Sequence, residues 1–267
     1  MSESTDKRAD TTRQQILNAA AHQFARLPYH QVGLDDVLAE AELTKGAMYF
    51  HFRSKHALAL AIIEDQAAEA RQVIAALVTR KFSGLETLID FSYQVAVRDI
   101  SEDMARAGFN LLESIGRLEG LQTQLLAGWI ETLAVIADRA IAEGDILDEC
   151  DPQDVARLQV STYMGLRQTS DLDEPERFLL NLEKTWALLL PGVVHPDRID
   201  YFTQFIRRRT AIVAARVALV SSEACGELRD LRSSRSTVGL SAGVGASAQI
   251  SGMSVWMMPR RCASSIA

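Results

Sequence analysis

Leu43-Thr44-Lys45-Gly46-Ala47-Met48-Tyr49-Phe50-His51-Phe52-Arg53-Ser54-Lys55 is the stretch on which the reading of the fold turns. Thr44 precedes a run of about two helical turns and is a candidate N-cap, because its side-chain oxygen can accept from a first-turn N–H that has no partner within the helix. Ser54 stands in the same relation to Leu58, Ala61 and Ile62, so one helix closes and another opens inside this run. A helix of about two turns does not persist alone and must be held by neighbours. Upstream, Ile16, Ala20 and Phe24, with Leu17 and Ala21 beside them, make a stripe at spacing four that starts after Thr11 or Thr12 and stops before Pro28. Leu34, Val37, Leu38 and Ala41 make a second, shorter stripe. Helices in this order, the third short and polar, describe a three-helix helix-turn-helix whose recognition helix starts at Lys45.

The residue types suit a nucleic-acid duplex. Thr44 can touch a thymine methyl or a phosphate, and Lys45 can reach guanine acceptors or a phosphate. Gly46 and Ala47 let the helix approach closely, although a glycine here also reads as a tolerated helix flaw. Tyr49, His51 and Lys55 offer hydroxyl, imidazole and ammonium groups to phosphate oxygens on the flank. Phe50 and Phe52 are expected in the core. Lys7, Arg8 and Arg13 read equally as a minor-groove or backbone arm and as a solvated leader. The net charge of −7 excludes a protein that coats nucleic acid over its whole surface. Residues 1–56 carry 7 basic and 7 acidic groups, residues 57–221 carry 16 and 25, and residues 222–267 carry 5 and 3. Phosphate contacts must therefore be local to one face of the first segment.

The helix opened by Ser54 runs toward Leu77 without a strong breaker and joins the head rigidly to the rest. Further helices are expected at about 85–99, 102–116, 121–143, 152–169, 175–190 and 197–220, separated by breaks that include Gly144-Asp145, Asp151-Pro152, Glu174-Pro175 and Pro191-Gly192. No convincing alternating strand is present, so the fold class is all-α. From about Ser222 a Ser-, Gly- and Ala-rich composition predicts a loose tail, with docking of Trp256 as the rival reading. The expected organisation is a DNA-binding head (1–56), a larger helical body (57–221) and a disordered tail (222–267).

A pocket inside a helical bundle needs apolar walls and a few orienting polar groups. Phe91, Met104, Phe109, Trp129, Tyr163 and Met164 are the candidates, Trp129 foremost, with ordinary core packing as the alternative for each. For a twofold dimer the candidate helices are 152–169, with Val155, Leu158, Val160, Tyr163 and Leu166, and 175–190, with Phe178, Leu179, Leu182, Trp186 and Leu189. Burial of the same side chains within one chain is the alternative.

Other classes find little support. Cys150, Cys225 and Cys262 have no metal-ligand spacing and read as free thiols in a reducing compartment. The five histidines come without a His-Glu-x-x-His pair, a nucleophile elbow or a glycine-rich phosphate loop, so neither an enzyme nor a cofactor or metal is expected. Without a signal-peptide pattern or an apolar run of roughly 18 residues, a cytoplasmic protein that does not enter the membrane is expected.

Residues 11–58 resemble the DNA-binding domain of TetR-type regulators. The resemblance is carried by Leu43 to Phe52 with Ser54, Lys55 and Leu58, and by Ile16, Leu17, Ala20, Ala21, Phe24, Tyr29, Val32, Val37, Ala39 and Ala41. It implies a three-helix head, a larger helical body that binds a small effector, and a homodimer acting usually as a repressor. It carries groove or backbone contact onto Thr44 and Lys45, and backbone contact onto Tyr49, His51 and Lys55. Leu27-Pro28 departs from the family's turn glycine, and Gly33 from its Ser or Thr cap. The position of Trp129, and the wording from Lys45 to Phe52, resemble the γ-butyrolactone receptor branch. The expected function is a repressor released from a palindromic operator by a small hydrophobic or amphipathic effector. The alternative is a ligand-independent architectural DNA-binding protein.

Overall fold

The computed structural model describes residues 2–117 and 120–238. Among these, every regular element is helical apart from one antiparallel bridge between Ile146 and Val194. The fold is the all-α arrangement expected, with three N-terminal helices followed by a larger bundle. The head is α1 (Ser2–Arg26), α2 (Leu34–Glu40) and α3 (Lys45–His51), and α4 (Lys55–Val78) leads into the body. Thr44 Oγ1 accepts from the Ala47 amide at 3.3 Å and Ser54 Oγ from the Ala57 amide at 3.0 Å, the two caps that delimit the recognition run. α1 begins at Ser2 rather than Thr11, since no helix breaker separates them. The Leu27-Pro28 departure resolves as a single 3₁₀ turn, Tyr29–Gln31.

The body consists of α5 (Gly84–Ser101), α6 (Asp103–Leu111), α7 (Leu121–Ala142), α8 (Pro152–Thr169), α9 (Pro175–Val193) and α10 (Ile199–Val238). α6 widens into one π-helical turn, Leu112–Gly116. α7 ends in a Schellman motif: Gly144 has φ 74°, its N–H bonds the Ile141 carbonyl at 2.9 Å, and the Asp145 N–H bonds that of Ala140 at 3.0 Å. Asp151 Oδ1 caps α8, accepting from the Gln153 amide at 2.7 Å, whereas the Glu174 side chain makes no such bond at α9. Pro191 does not stop α9, which continues to Val193. A proline in the last turn forfeits one helical hydrogen bond, and the Leu147 N–H bonded to the Val193 carbonyl at 3.0 Å helps hold that end in place.

The chain divides into two units, residues 1–215 and 216–267. The tail expected from Ser222 falls partly on α10, which extends to Val238. The remainder of that expectation, with Trp256, lies outside the described residues. Within the first unit head and body share a core: Ile16, Leu17, Phe24, Val37, Met48, Leu58 and Ile62 cluster with Ala107, Leu111, Leu112 and Ile115 of α6 and its π turn. Two close helix approaches set the spacing of the body helices. A Cβ on Gly84 would lie 2.5 Å from the Ala140 backbone nitrogen, and one on Gly108 would lie 2.6 Å from Gln66 Cβ, so α5 meets α7 backbone to backbone and α6 meets α4 backbone to side chain. Buried Asp90 pairs with Arg80 and Arg209, and the Tyr93 and Thr210 hydroxyls hydrogen-bond at 2.7 Å, tying α5 to α10.

Of the two readings offered for the α9 stripe, burial within one chain holds for Phe178, Leu179, Leu182 and Trp186, while Leu189 is half-buried. α9 is amphipathic, and the face that reads as an interface is its own side of the monomer core. Leu180 and Leu188 are what it leaves exposed. No helix among the described residues is long and apolar enough to cross a membrane.

Candidate nucleic-acid interface and body cavity

α3 is anchored by one buried side chain, Met48, with Ala47 and His51 half-buried, and turns Lys45, Gly46, Tyr49 and Phe50 outward. Thr44, Lys45 and Gly46 are exposed at its start, and Tyr49 is 54% exposed one turn on from Lys45. A Cβ on Gly46 would meet nothing closer than Thr44 Oγ1 at 3.9 Å, so the fold itself does not demand glycine there. Lys45 Nζ lies 2.8 Å from Asp35 Oδ1 in the first turn of α2, and that hydrogen bond raises the ammonium pKa above its ordinary value. Lys55 is placed differently from the others. Its Nζ donates to the Tyr29 and Val32 carbonyls at 2.9 and 3.0 Å and sits 4.4 Å above the Tyr29 ring, so it fastens the turn before α2 to the start of α4.

Phe50 is a correction. Expected in the core, it is 80% exposed, whereas Phe52 is buried as expected. Two residues advance a helix by about 200°, which places Phe50 opposite Met48, while Phe52 follows the helix in extended backbone that returns it inward. The Phe50 ring meets His51 edge to face at 5.0 Å. Arg13 lies with its guanidinium 5.3 Å from the Phe52 ring centroid, held against the head. The helical angle from Met48 was the signal available for Phe50.

In the body, α4, α5, α6, α7 and α8 surround a partly open cavity of about 40 Å³. Phe91, Phe109, Trp129, Tyr163 and Met164 all line it, together with Val95, Leu133 and Val160. Phe109 is the hub of its aromatic wall, with ring centroids 5.8 Å from Trp129 and 6.1 Å from Tyr163. Met104 is not part of it. Five residues from Phe109, about 140° around α6, it packs against the head core instead. Trp129 does both, lining the cavity and packing on that core.

Besides the Trp129 indole N–H and the Tyr163 hydroxyl, the polar groups of the wall are Gln66, Ser92 and Gln159, none of which the residue pattern alone had singled out. Gln159 Nε2 donates to the Leu88 carbonyl at 2.8 Å and to Ser92 Oγ at 3.2 Å. Gln159 Oε1 and Trp129 Nε1 are buried without a hydrogen-bond partner. The available signal was a glutamine inside a buried stripe: Ala156, Gln159, Val160, Tyr163 and Arg167 recur at helical spacing.

From the cavity wall a polar chain leads to the head. The Tyr163 hydroxyl donates to Asp99 Oδ2 at 3.3 Å, Arg167 Nε donates to the same oxygen at 2.8 Å, and Arg167 Nη2 donates to Asn110 Oδ1 at 2.8 Å. Asn110 Nδ2 in turn donates to the Phe24 and Ala25 carbonyls at the end of α1, at 3.0 and 3.3 Å. Burial pushes the Asp99 carboxyl up from its usual range against the pull of Arg167, and pushes the Tyr163 phenol well above its own, so this hydroxyl keeps its proton.

The family model of bacterial regulatory proteins, tetR family, matches residues 16–62. The A-factor receptor protein of Streptomyces griseus is 30% identical over 201 residues, which cover 73% of this chain and 68% of that protein. A solved gamma-butyrolactone receptor, an ArpA-like protein, matches with a TM-score of 0.66 and 29% identity over 76% of this chain and 98% of its own. CprB of Streptomyces coelicolor, a TetR family protein solved in complex with its biological operator sequence, matches with a TM-score of 0.65 and 29% identity over 75% of this chain and 97% of its own. This chain belongs to the tetR family of bacterial regulatory proteins, which makes it a regulator that binds DNA through the helix-turn-helix of its head.

Proposed function

We propose that the protein is a homodimeric transcriptional repressor of the γ-butyrolactone receptor-like branch, released from a palindromic operator by a small, largely apolar effector. Residues 1–56 form the reading head and residues 57–221 the sensing and dimerising body. Thr44, Lys45, Gly46, Tyr49 and His51 face the duplex, with Phe50 beside them, and Lys55 contributes by holding the head in shape. Phe91, Phe109, Trp129, Tyr163 and Met164 enclose the effector. The likeness to a gamma-butyrolactone receptor and to a protein solved on its operator supports this reading.

The observation that carries it is the double role of Trp129, at once cavity wall and packing partner of the core that holds the head. An effector that shifts Trp129 or Tyr163 acts on two routes to the DNA face. One is apolar, through Leu112, Ile115 and the π turn at the base of the head. The other is the polar chain from Tyr163 to the carbonyls that end α1. Release then occurs when the effector binds a body state in which the two heads no longer match the half-sites.

Selection of duplexes from a random pool by the full chain should return a palindrome, and a γ-butyrolactone bearing a hexyl side chain should dissociate that complex. A weak, non-palindromic preference indifferent to any such lactone would instead establish the architectural alternative.

A further inference from the structure

Two atoms in the cavity wall have nothing to bond, and they are of opposite kinds: the Trp129 indole N–H, which can only donate, and the Gln159 carbonyl oxygen, which can only accept. The orientation of the Gln159 amide is set by its neighbours. The Leu88 carbonyl has no proton to offer, so the –NH₂ must face it, and Oε1 is left on the other side. The Ser92 hydroxyl is already engaged, donating to the Leu88 carbonyl at 3.3 Å and accepting from Gln159 Nε2. The Tyr163 proton is directed to Asp99. None of the residues lining the cavity carries an ionised side chain at neutral pH, and a charged guest would lose its hydration without a counter-charge.

We propose that Trp129 and Gln159 form a donor and acceptor pair that selects an uncharged effector carrying both a hydrogen-bond acceptor and a hydroxyl, and that Gln159 is the residue distinguishing an alcohol from the corresponding ketone. This rests on the effector reading of the cavity and specifies its chemistry. The Trp129 N–H takes a carbonyl or ring oxygen of the guest, and the guest hydroxyl donates to Gln159 Oε1. A ketone in place of that hydroxyl presents a lone pair to a lone pair and leaves Gln159 Oε1 buried and unsatisfied. Because Gln159 Oε1 lacks a partner before binding as well, the discrimination is the hydrogen bond that the alcohol gains and the ketone cannot make, about tenfold in affinity.

The test is calorimetric titration of the full chain with matched alcohol and ketone pairs on two neutral scaffolds of equal alkyl length, a γ-butyrolactone and an open-chain ester. Wild type should prefer the alcohol by that factor. Gln159→Met, of similar length and without the amide, should bring the ratio to about one. Trp129→Phe should weaken alcohol and ketone alike and leave their ratio intact. Equal binding of alcohol and ketone by wild type, or a ratio unchanged in Gln159→Met, overturns the pair while leaving the lactone reading in place. Discrimination among esters with no lactone binding supports the pair and removes the lactone from the proposed function. Binding of neither scaffold overturns both.

Discussion

The DNA face and the body cavity are built in opposite ways. The face is the outer surface of one seven-residue helix, with Lys45, Gly46, Tyr49 and Phe50 in water and Met48 alone holding it down. The cavity collects side chains from α4 to α8, from Gln66 to Met164, most of them buried and Phe91, Val95, Trp129 and Met164 half-buried. Its free polar atoms cannot be satisfied by solvent as those of the face are. The face therefore needs support from below to keep its shape, whereas the cavity needs a guest to complete its hydrogen bonding. The shared core of Leu112, Ile115 and Trp129 with Met48 and Leu58 is where these two requirements meet.

The hardest blow to that comparison is struck at Met48. Met48→Ala removes the one fully buried side chain of α3 and should cost about 2–5 kcal/mol. Because head and body share a core, calorimetry should show a single, lower unfolding transition together with loss of DNA binding. A separate early transition that leaves the body unchanged would mean the head folds alone and the two regions are coupled only loosely.

The next effect falls on communication between them. Asn110→Ala cuts the bonds to the Phe24 and Ala25 carbonyls and to Arg167, at a cost of about 1 kcal/mol in stability. Operator affinity and effector affinity, each measured alone, should stay close to wild type. The effector-induced fall in operator affinity, on the order of 5- to 150-fold for a typical coupling, should shrink to the part carried by the apolar route. Full retention of release would assign transmission to the apolar route through the π turn.

Phe50 sharpens the comparison from the DNA side. A largely solvated phenyl ring, touching only the edge of His51, contributes little to folding, so Phe50→Ala should leave the melting temperature nearly unchanged. Apolar contact with a thymine methyl is the natural use of such a ring in a major groove. Replacing each operator thymine in turn by uracil should reveal one position per half-site where wild type loses about 1 kcal/mol and Phe50→Ala loses nothing. Equal losses in both proteins would place Phe50 outside the groove.

How far each region could be read from the residues depends on how it is built. The head rests on signals a few residues apart: a cap at Thr44, a cap at Ser54, a stripe ending at Pro28. These survived into the structure because local hydrogen bonds decide them. Phe50 was misplaced because aromatic character was weighed without the helical angle that opposes it to Met48. The cavity's aromatic wall was found by size and apolarity, but Met104 was included although it lies on another side of α6 from Phe109. Gln159 and the chain through Asp99, Arg167 and Asn110 depend on partners more than fifty residues apart, as the 68-residue separation of Asp99 and Arg167 shows, and no local pattern records such a pairing. α9 shows the same limit in reverse: its apolar stripe announces burial without saying whether a neighbour in the chain or a second copy supplies it.

The smallest expected effect concerns Asp35, which places a carboxylate beside the leading cation of the DNA face. In the free protein Asp35 holds the Lys45 ammonium by a hydrogen bond, and on a duplex a phosphate must compete for it while Asp35 itself is repelled. Asp35→Asn keeps the shape and an amide oxygen that can still orient Lys45, but removes the negative charge. Operator affinity should rise about two- to fivefold at moderate salt, within the range of an exposed ion pair, and the gain should shrink as salt screens it. Fluorescence anisotropy titrations across a salt series measure both. Non-operator duplex should gain by the same factor, since a freed ammonium attracts any phosphate. A fall in operator affinity alone would show that Asp35 acts by aiming Lys45 at a base, making the pair part of the reading face rather than a charge the head must set aside on binding.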